Sequence, residues 1–81
     1  MFNKKTIASC EIWTSEKMPI ALVRSKITRN TLFTIKRELV KTGEKVEVQN
    51  DNVRGYVEIG EIVDQLEQFK AYSAMLVIEE K

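Results

Sequence analysis

The spacing of apolar residues along this chain switches between two periods, and those switches constrain the fold more than any other feature. In residues 20–27 (Ile-Ala-Leu-Val-Arg-Ser-Lys-Ile), Ala21, Val23 and Ile27 share one alternating face while Arg24 and Lys26 share the other, which predicts a strand. From about Thr31 to Lys41 the period lengthens. Leu32, Ile35 and Leu39, flanked by Phe33 and Val40, fall on one helical stripe. Thr28 or Asn30 can cap that helix, Lys41 suits its last turn, and Gly43 is placed as a left-handed stop. Alternation then returns. Val46 and Val48 precede Asn50-Asp51-Asn52, and Val53, Val57 and Ile59 follow it, so residues 44–59 read as a hairpin. Next, Ile62, Val63, Leu66 and Phe69 fall at i, i+1, i+4 and i+7, predicting a second helix whose outer side is Glu61, Asp64, Glu67 and Gln68.

Two further strands complete the pattern. Residues 6–13 are rich in β-branched and aromatic types, and residues 74–79 form an apolar closing segment. Pro19 stands where a strand begins, a position that tolerates it. The predicted order is β–β–α–β–β–α–β. Without its first strand this is a ferredoxin-like βαββαβ plait, so the expected class is α+β, a plait with residues 6–13 added as an edge strand. In that arrangement strands 20–27 and 53–59 are neighbours, both helices cover one face, and Gly55 on the inward side admits a bulge or a close helix. Two ββα units plus a closing strand use the same elements with different pairing.

Size argues for one domain over residues 1–81. A chain this short buries about 60–65% of its unfolded surface, and a core of this size rarely supplies more than roughly 3–5 kcal/mol. A lone cysteine, Cys10, forms no internal disulfide and fits a reducing, cytoplasmic setting. Glu11 and Glu16 interrupt what would be the apolar part of a signal peptide, and no apolar run approaches the ~20 residues that cross a bilayer. No membrane partner is expected.

Catalytic chemistry is thinly provided for. With no histidine, the commonest general base and the usual zinc sites are missing, and the three glycines are too scattered for a phosphate-binding loop. Cys10 lies between Ala8 and Ile12 as an inert packing residue. Glu58, Glu61 and Asp64 read as a solvated face. The expectation is a protein that is not an enzyme and needs no cofactor or metal.

Binding is better provided for. Residues 24–46 carry seven bases and two acids, a net of +5, and residues 47–81 carry three bases and eight acids, a net of −5. The two halves either neutralise each other on folding or leave an anion-facing surface. On neighbouring strands, Arg24, Lys26, Arg54 and Tyr56 would share the open sheet face, where cations and a ring can hold phosphates and stack bases. Arg54-Gly55-Tyr56 echoes the opening of the RNA-recognition-motif signature, which Val57-Glu58-Ile59 does not continue, and no membership follows. The first helix would add Lys36, Arg37 and Lys41, with Arg29 just before it. Candidate protein contacts are Trp13, Ile20 and Leu22, which need cover on the open face, and Met75 and Val77, in a segment apolar on both sides. The leading expectation is a small regulatory or inhibitory protein that binds another macromolecule, of the kind that serves phages and mobile elements as an accessory. An RNA or single-stranded nucleic-acid binder comes second, and a homo-oligomer joined through residues 74–79 third.

Overall fold

A computed structural model describes residues 4–51 and 53–80. They form six antiparallel strands: β1 (Lys4–Ser15), β2 (Ile20–Ser25), β3 (Thr31–Lys36), β4 (Lys45–Gln49), β5 (Arg54–Leu66) and β6 (Phe69–Glu80). One 3-10 turn, Arg37–Leu39, follows β3. The strands make a single sheet in the order β3-β2-β1-β6-β5-β4, curled until β3 approaches β4 as a nearly closed barrel.

Alternation explains the core. Cys10 and Ile12 of β1, Ala21 and Val23 of β2, Phe33 and Ile35 of β3, Val46 and Val48 of β4, Val57 and Ile59 of β5, and Leu76 of β6 all point inward and are buried. Val40, just past the 3-10 turn, joins them. Each of the valine, isoleucine, leucine and phenylalanine side chains among them contributes about 1.5–3 kcal/mol on leaving water. Thr14 is buried as well, and its hydroxyl donates to the Lys70 carbonyl at 3.3 Å.

The α+β plait is overturned, and with it the alternative of two ββα units. Among the described residues there is no α-helix. Residues 31–36 are β3: Phe33 and Ile35 face the core, while Leu32 of the supposed helical stripe is 41% exposed. The segment from Glu61 to Phe69 continues β5, turns at Glu67-Gln68 and enters β6. Its apolar spacing mimics a helix because β5 shifts register between Ile59 and Ile62 and again between Ile62 and Asp64. Each bulge inserts a residue and breaks the strict period of two.

Position in the sheet also differs from expectation. The segment 6–13 lies in β1, which runs between β2 and β6 and is no edge strand. Strands 20–25 and 54–66 are not neighbours, because β1 and β6 separate them. Residues 74–79 lie in β6, paired with β1 on one side and β5 on the other, so a homo-oligomer has no free edge there. Ile27 falls beyond β2 in a turn and is 92% exposed. At Gly55 the close neighbour is a strand: an added Cβ would strike the Val77 carbonyl oxygen. The hairpin of residues 44–59 forms as β4 and β5, with Asn50 Oδ1 accepting from the Val53 amide at 2.9 Å.

Candidate interaction surface

Among the described residues no helical layer covers the outer face, so its side chains meet only one another and solvent; Ala71 and Val77 are buried there by their neighbours, and most of the others are half-buried or exposed. Register places them in rows across the sheet. Leu66 lies opposite Phe69, and Phe69 opposite Ser15; Ala71 lies opposite Trp13, and Trp13 opposite Leu22. Ile20 stands two residues before Leu22 on the same face of β2, and Met18 reaches this end from the β1–β2 turn. Trp13, Met18, Ile20, Leu22, Arg24 and Phe69 thereby line a groove of about 290 Å³, together with Thr14 and Ser15. Met18 and Phe69 are each 48% exposed and Ile20 is 39% exposed. Single exposed apolar residues are ordinary; several around one groove make a contiguous apolar patch, which is less so.

Arg24 borders this groove. Its guanidinium carbon lies 5.7 Å from the centre of the Trp13 ring, and its Nε and Nη2 donate to the Arg29 carbonyl at 3.1 and 3.0 Å. Arg29 has φ of 62°, a left-handed conformation that side chains other than glycine rarely adopt. The arginine thus fixes both the indole and the β2–β3 turn. Beyond it lies a polar cleft of about 390 Å³ lined by Glu11, Trp13, Arg24, Ser25, Arg29 and Asp64, which carries both signs of charge.

The other predicted cations are dispersed. Lys26 and Arg29 are exposed in the β2–β3 turn, Lys36 ends β3, and Lys41 is exposed in the loop before β4. No helix among the described residues gathers them. Arg37 is half-buried, and its Nη1 donates to the Ser15 carbonyl at 2.7 Å, fastening the 3-10 turn to the end of β1. Arg54 lies opposite Glu79, while Arg24 lies opposite Glu11, itself opposite Ser73. The two arginines share the outer face but have two strands, β1 and β6, between them, and stand about 20 Å apart along β6, from the strand rise. Tyr56 is half-buried with the Lys45 amine 5.3 Å from its ring centre.

Of the expected protein contacts, Trp13, Ile20 and Leu22 converge. Met75 is exposed toward the opposite end of the outer face, and Val77 is buried between Ile7 and Tyr56. Together with Ser9 and Ser73 they line a separate shallow trough of about 530 Å³. The sequence alone does not single out Met18 or Phe69: apolar spacing puts Phe69 on a helix, and only the pairing of β6 with β1 brings it beside Ser15.

Cys10 is buried, and its thiol is pushed up to about 11, chiefly by burial and secondarily by Glu11. It is protonated at neutral pH, whereas the nucleophilic form is the thiolate. Among the described residues no group of three or more Cys, Asp or Glu side chains is placed to hold a metal ion, and no helix is long and apolar enough to cross a membrane. The chain matches no family model, no curated protein and no solved structure.

Proposed function

We propose that this protein is a small non-catalytic regulatory or inhibitory factor that acts by occupying a surface of a partner protein, with the Trp13–Phe69 groove as its contact. One observation carries this reading: Trp13, Met18, Ile20, Leu22 and Phe69 surround one groove on the uncovered face of the sheet. Tryptophan and other large apolar groups in such positions make the anchors on which protein interfaces depend, and Arg24 supplies a polar border beside them. A protein partner is favoured over nucleic acid because the cations are spread around the molecule and Arg37 is committed to the Ser15 carbonyl. A cytoplasmic setting belongs to the proposal, since Cys10 is a free thiol.

The test compares wild type with Met18→Asp/Phe69→Asp as bait in nuclease-treated extract of the native host. Captured proteins are quantified by mass spectrometry, and the bait fold is checked by circular dichroism. Both side chains are half exposed, so the variant folds, and a specific partner is lost by about 30-fold or more, the effect of removing an anchor worth ~2 kcal/mol. Equal recovery by both baits, or recovery only of nucleic acid when nuclease is omitted, refutes the proposal.

A further inference from the structure

We infer that the outer edge of β5, from Glu61 to Leu66, is a strand-addition site for an extended segment of a partner protein that is both apolar and basic. This goes beyond the groove and stands on a different observation. The ladder between β4 and β5 runs from Gln49 opposite Arg54 to Lys45 opposite Glu58. It is prolonged by the Gly43 amide donating to the Ile59 carbonyl, the Ile59 amide donating to the Glu44 carbonyl, and the Thr42 hydroxyl donating to the Gly60 carbonyl. There it stops. Strand β5 continues through Leu66, paired among the described residues with β6 on one side only, and every residue from Glu61 to Glu67 is exposed.

An edge of this kind offers main-chain donors and acceptors to any extended chain, and proteins ordinarily blunt it with charges and bulges. Both devices are present here, in the two register shifts and in Glu61, Asp64 and Glu67. A merely blunted edge does not also need exposed apolar groups. Ile62, Val63 and Leu66 are 43, 56 and 57% exposed along the same stretch. The combination selects instead of only repelling. Two copies of this edge placed together would align carboxylates with carboxylates, and a nucleic-acid backbone meets the same repulsion. A strand alternating lysine or arginine with aliphatic residues gains the main-chain ladder, the apolar contacts and the opposite charge together.

The experiment uses the full chain and a fluorescein-labelled hexapeptide alternating lysine and valine, read by anisotropy and by amide hydrogen exchange. Two controls are a glutamate–valine hexapeptide and the lysine–valine peptide with alternate main-chain nitrogens methylated, which keeps the charge but removes donors. The lysine–valine probe binds and slows exchange of amides within 61–66 by about tenfold or more at saturation. Methylation weakens binding by at least about tenfold, and Glu61→Lys/Asp64→Lys/Glu67→Lys, or Glu61→Lys alone if the triple variant misfolds, weakens it comparably. Absence of binding, equal binding of the methylated or acidic probe, or protection mapping outside 61–66 overturns the inference. If light scattering shows a dimer whose protected amides are those of 61–66, the occupant is a second copy, and the claim of a basic partner falls.

Discussion

Replacing Gly55 with alanine tests the barrel where two backbones approach most closely. A Cβ at this position would overlap the Val77 carbonyl oxygen and stand 3.0 Å from both the Ile78 Cα and the Val77 carbonyl carbon. All three atoms are main chain, so no rotamer change relieves the contact. Strand β6 has nowhere to retreat, since Val77 and Ile78 are also in register with Ile7 and Thr6 of β1. On its other side Gly55 is opposite Val48 of β4. Relief therefore requires opening the β5–β6 ladder locally. Overpacking costs about 1–3 kcal/mol, and two ladder hydrogen bonds add ~1 kcal/mol each, giving about 3–5 kcal/mol. That is as much as a core of this size ordinarily supplies, rarely more than roughly 3–5 kcal/mol.

Gly55→Ala is accordingly expected to be largely unfolded at 25 °C, or to melt at least about 15 °C below wild type. Urea and thermal unfolding, followed by Trp13 fluorescence and far-ultraviolet circular dichroism, measure it. Gly60→Ala is the internal comparison. There the obstructing atoms are the Ser73 hydroxyl, at the end of a side chain, and the Ser73 carbonyl oxygen at 3.1 Å. Adding Ser73→Ala removes the first of these and should restore stability to within about 1 kcal/mol of wild type. If Gly55→Ala melts within about 3 °C of wild type, the strands have freedom the geometry denies, and the reasoning fails.

Two further outcomes follow from buried or half-buried polar groups. The Cys10 thiol sits near 11 in the fold against an ordinary 9.0, so the unfolded chain releases its proton first as pH rises. Stability from this group is therefore whole below pH 9 and erodes between 9 and 11, by on the order of 2–3 kcal/mol; Cys10→Ala should flatten that part of a urea-midpoint-against-pH curve, and an unchanged slope would count against it. Arg37→Met removes the 2.7 Å bond to the Ser15 carbonyl. Because the guanidinium is only half-buried and water replaces it, the expected loss is ~1 kcal/mol, seen as a lower thermal midpoint, and an unmoved midpoint would make that bond inconsequential.

Local rules were legible in the sequence and long-range ones were not. β1, β2, the β4–β5 hairpin and the second half of β6 all lie where alternation, β-branched content and the Asn50-Asp51 turn put them. The first supposed helix fails at an ambiguity that a short segment leaves open. Thr31-Leu32-Phe33-Thr34-Ile35-Lys36 satisfies a period of two through Phe33 and Ile35 as well as a longer one through Leu32, Ile35 and Leu39. Its β-branched and aromatic content favoured the strand. The second fails because bulges between Ile59 and Asp64 reset the alternation, and because the Glu67-Gln68 turn lacks glycine, asparagine or proline. Glu67 has φ of 29°, outside the usual range for its type, so its residue identity gave no warning of the turn.

The surface divides along the same line. Which face a side chain takes depends only on its neighbours along one strand, and Trp13, Leu22, Arg24 and Arg54 all point outward as alternation requires. Which strand stands beside which depends on where two long partners, β1 and β6, insert. Inserting them between β2 and β5 parts Arg24 from Arg54 and brings Trp13 into register with Leu22 on one side and Ala71 on the other. A cationic face that needed two distant segments as neighbours is thereby dissolved. The apolar groove instead arises from β1, β2 and their connecting turn, and is completed by Phe69 at the start of β6. Had two helices packed on the sheet, this chain would have had two layers in which to hide its apolar groups. With one curled sheet the inside holds about one face of each strand, and Trp13, Ile20, Leu22 and Phe69 are left on the outer side, half-buried or exposed around one groove.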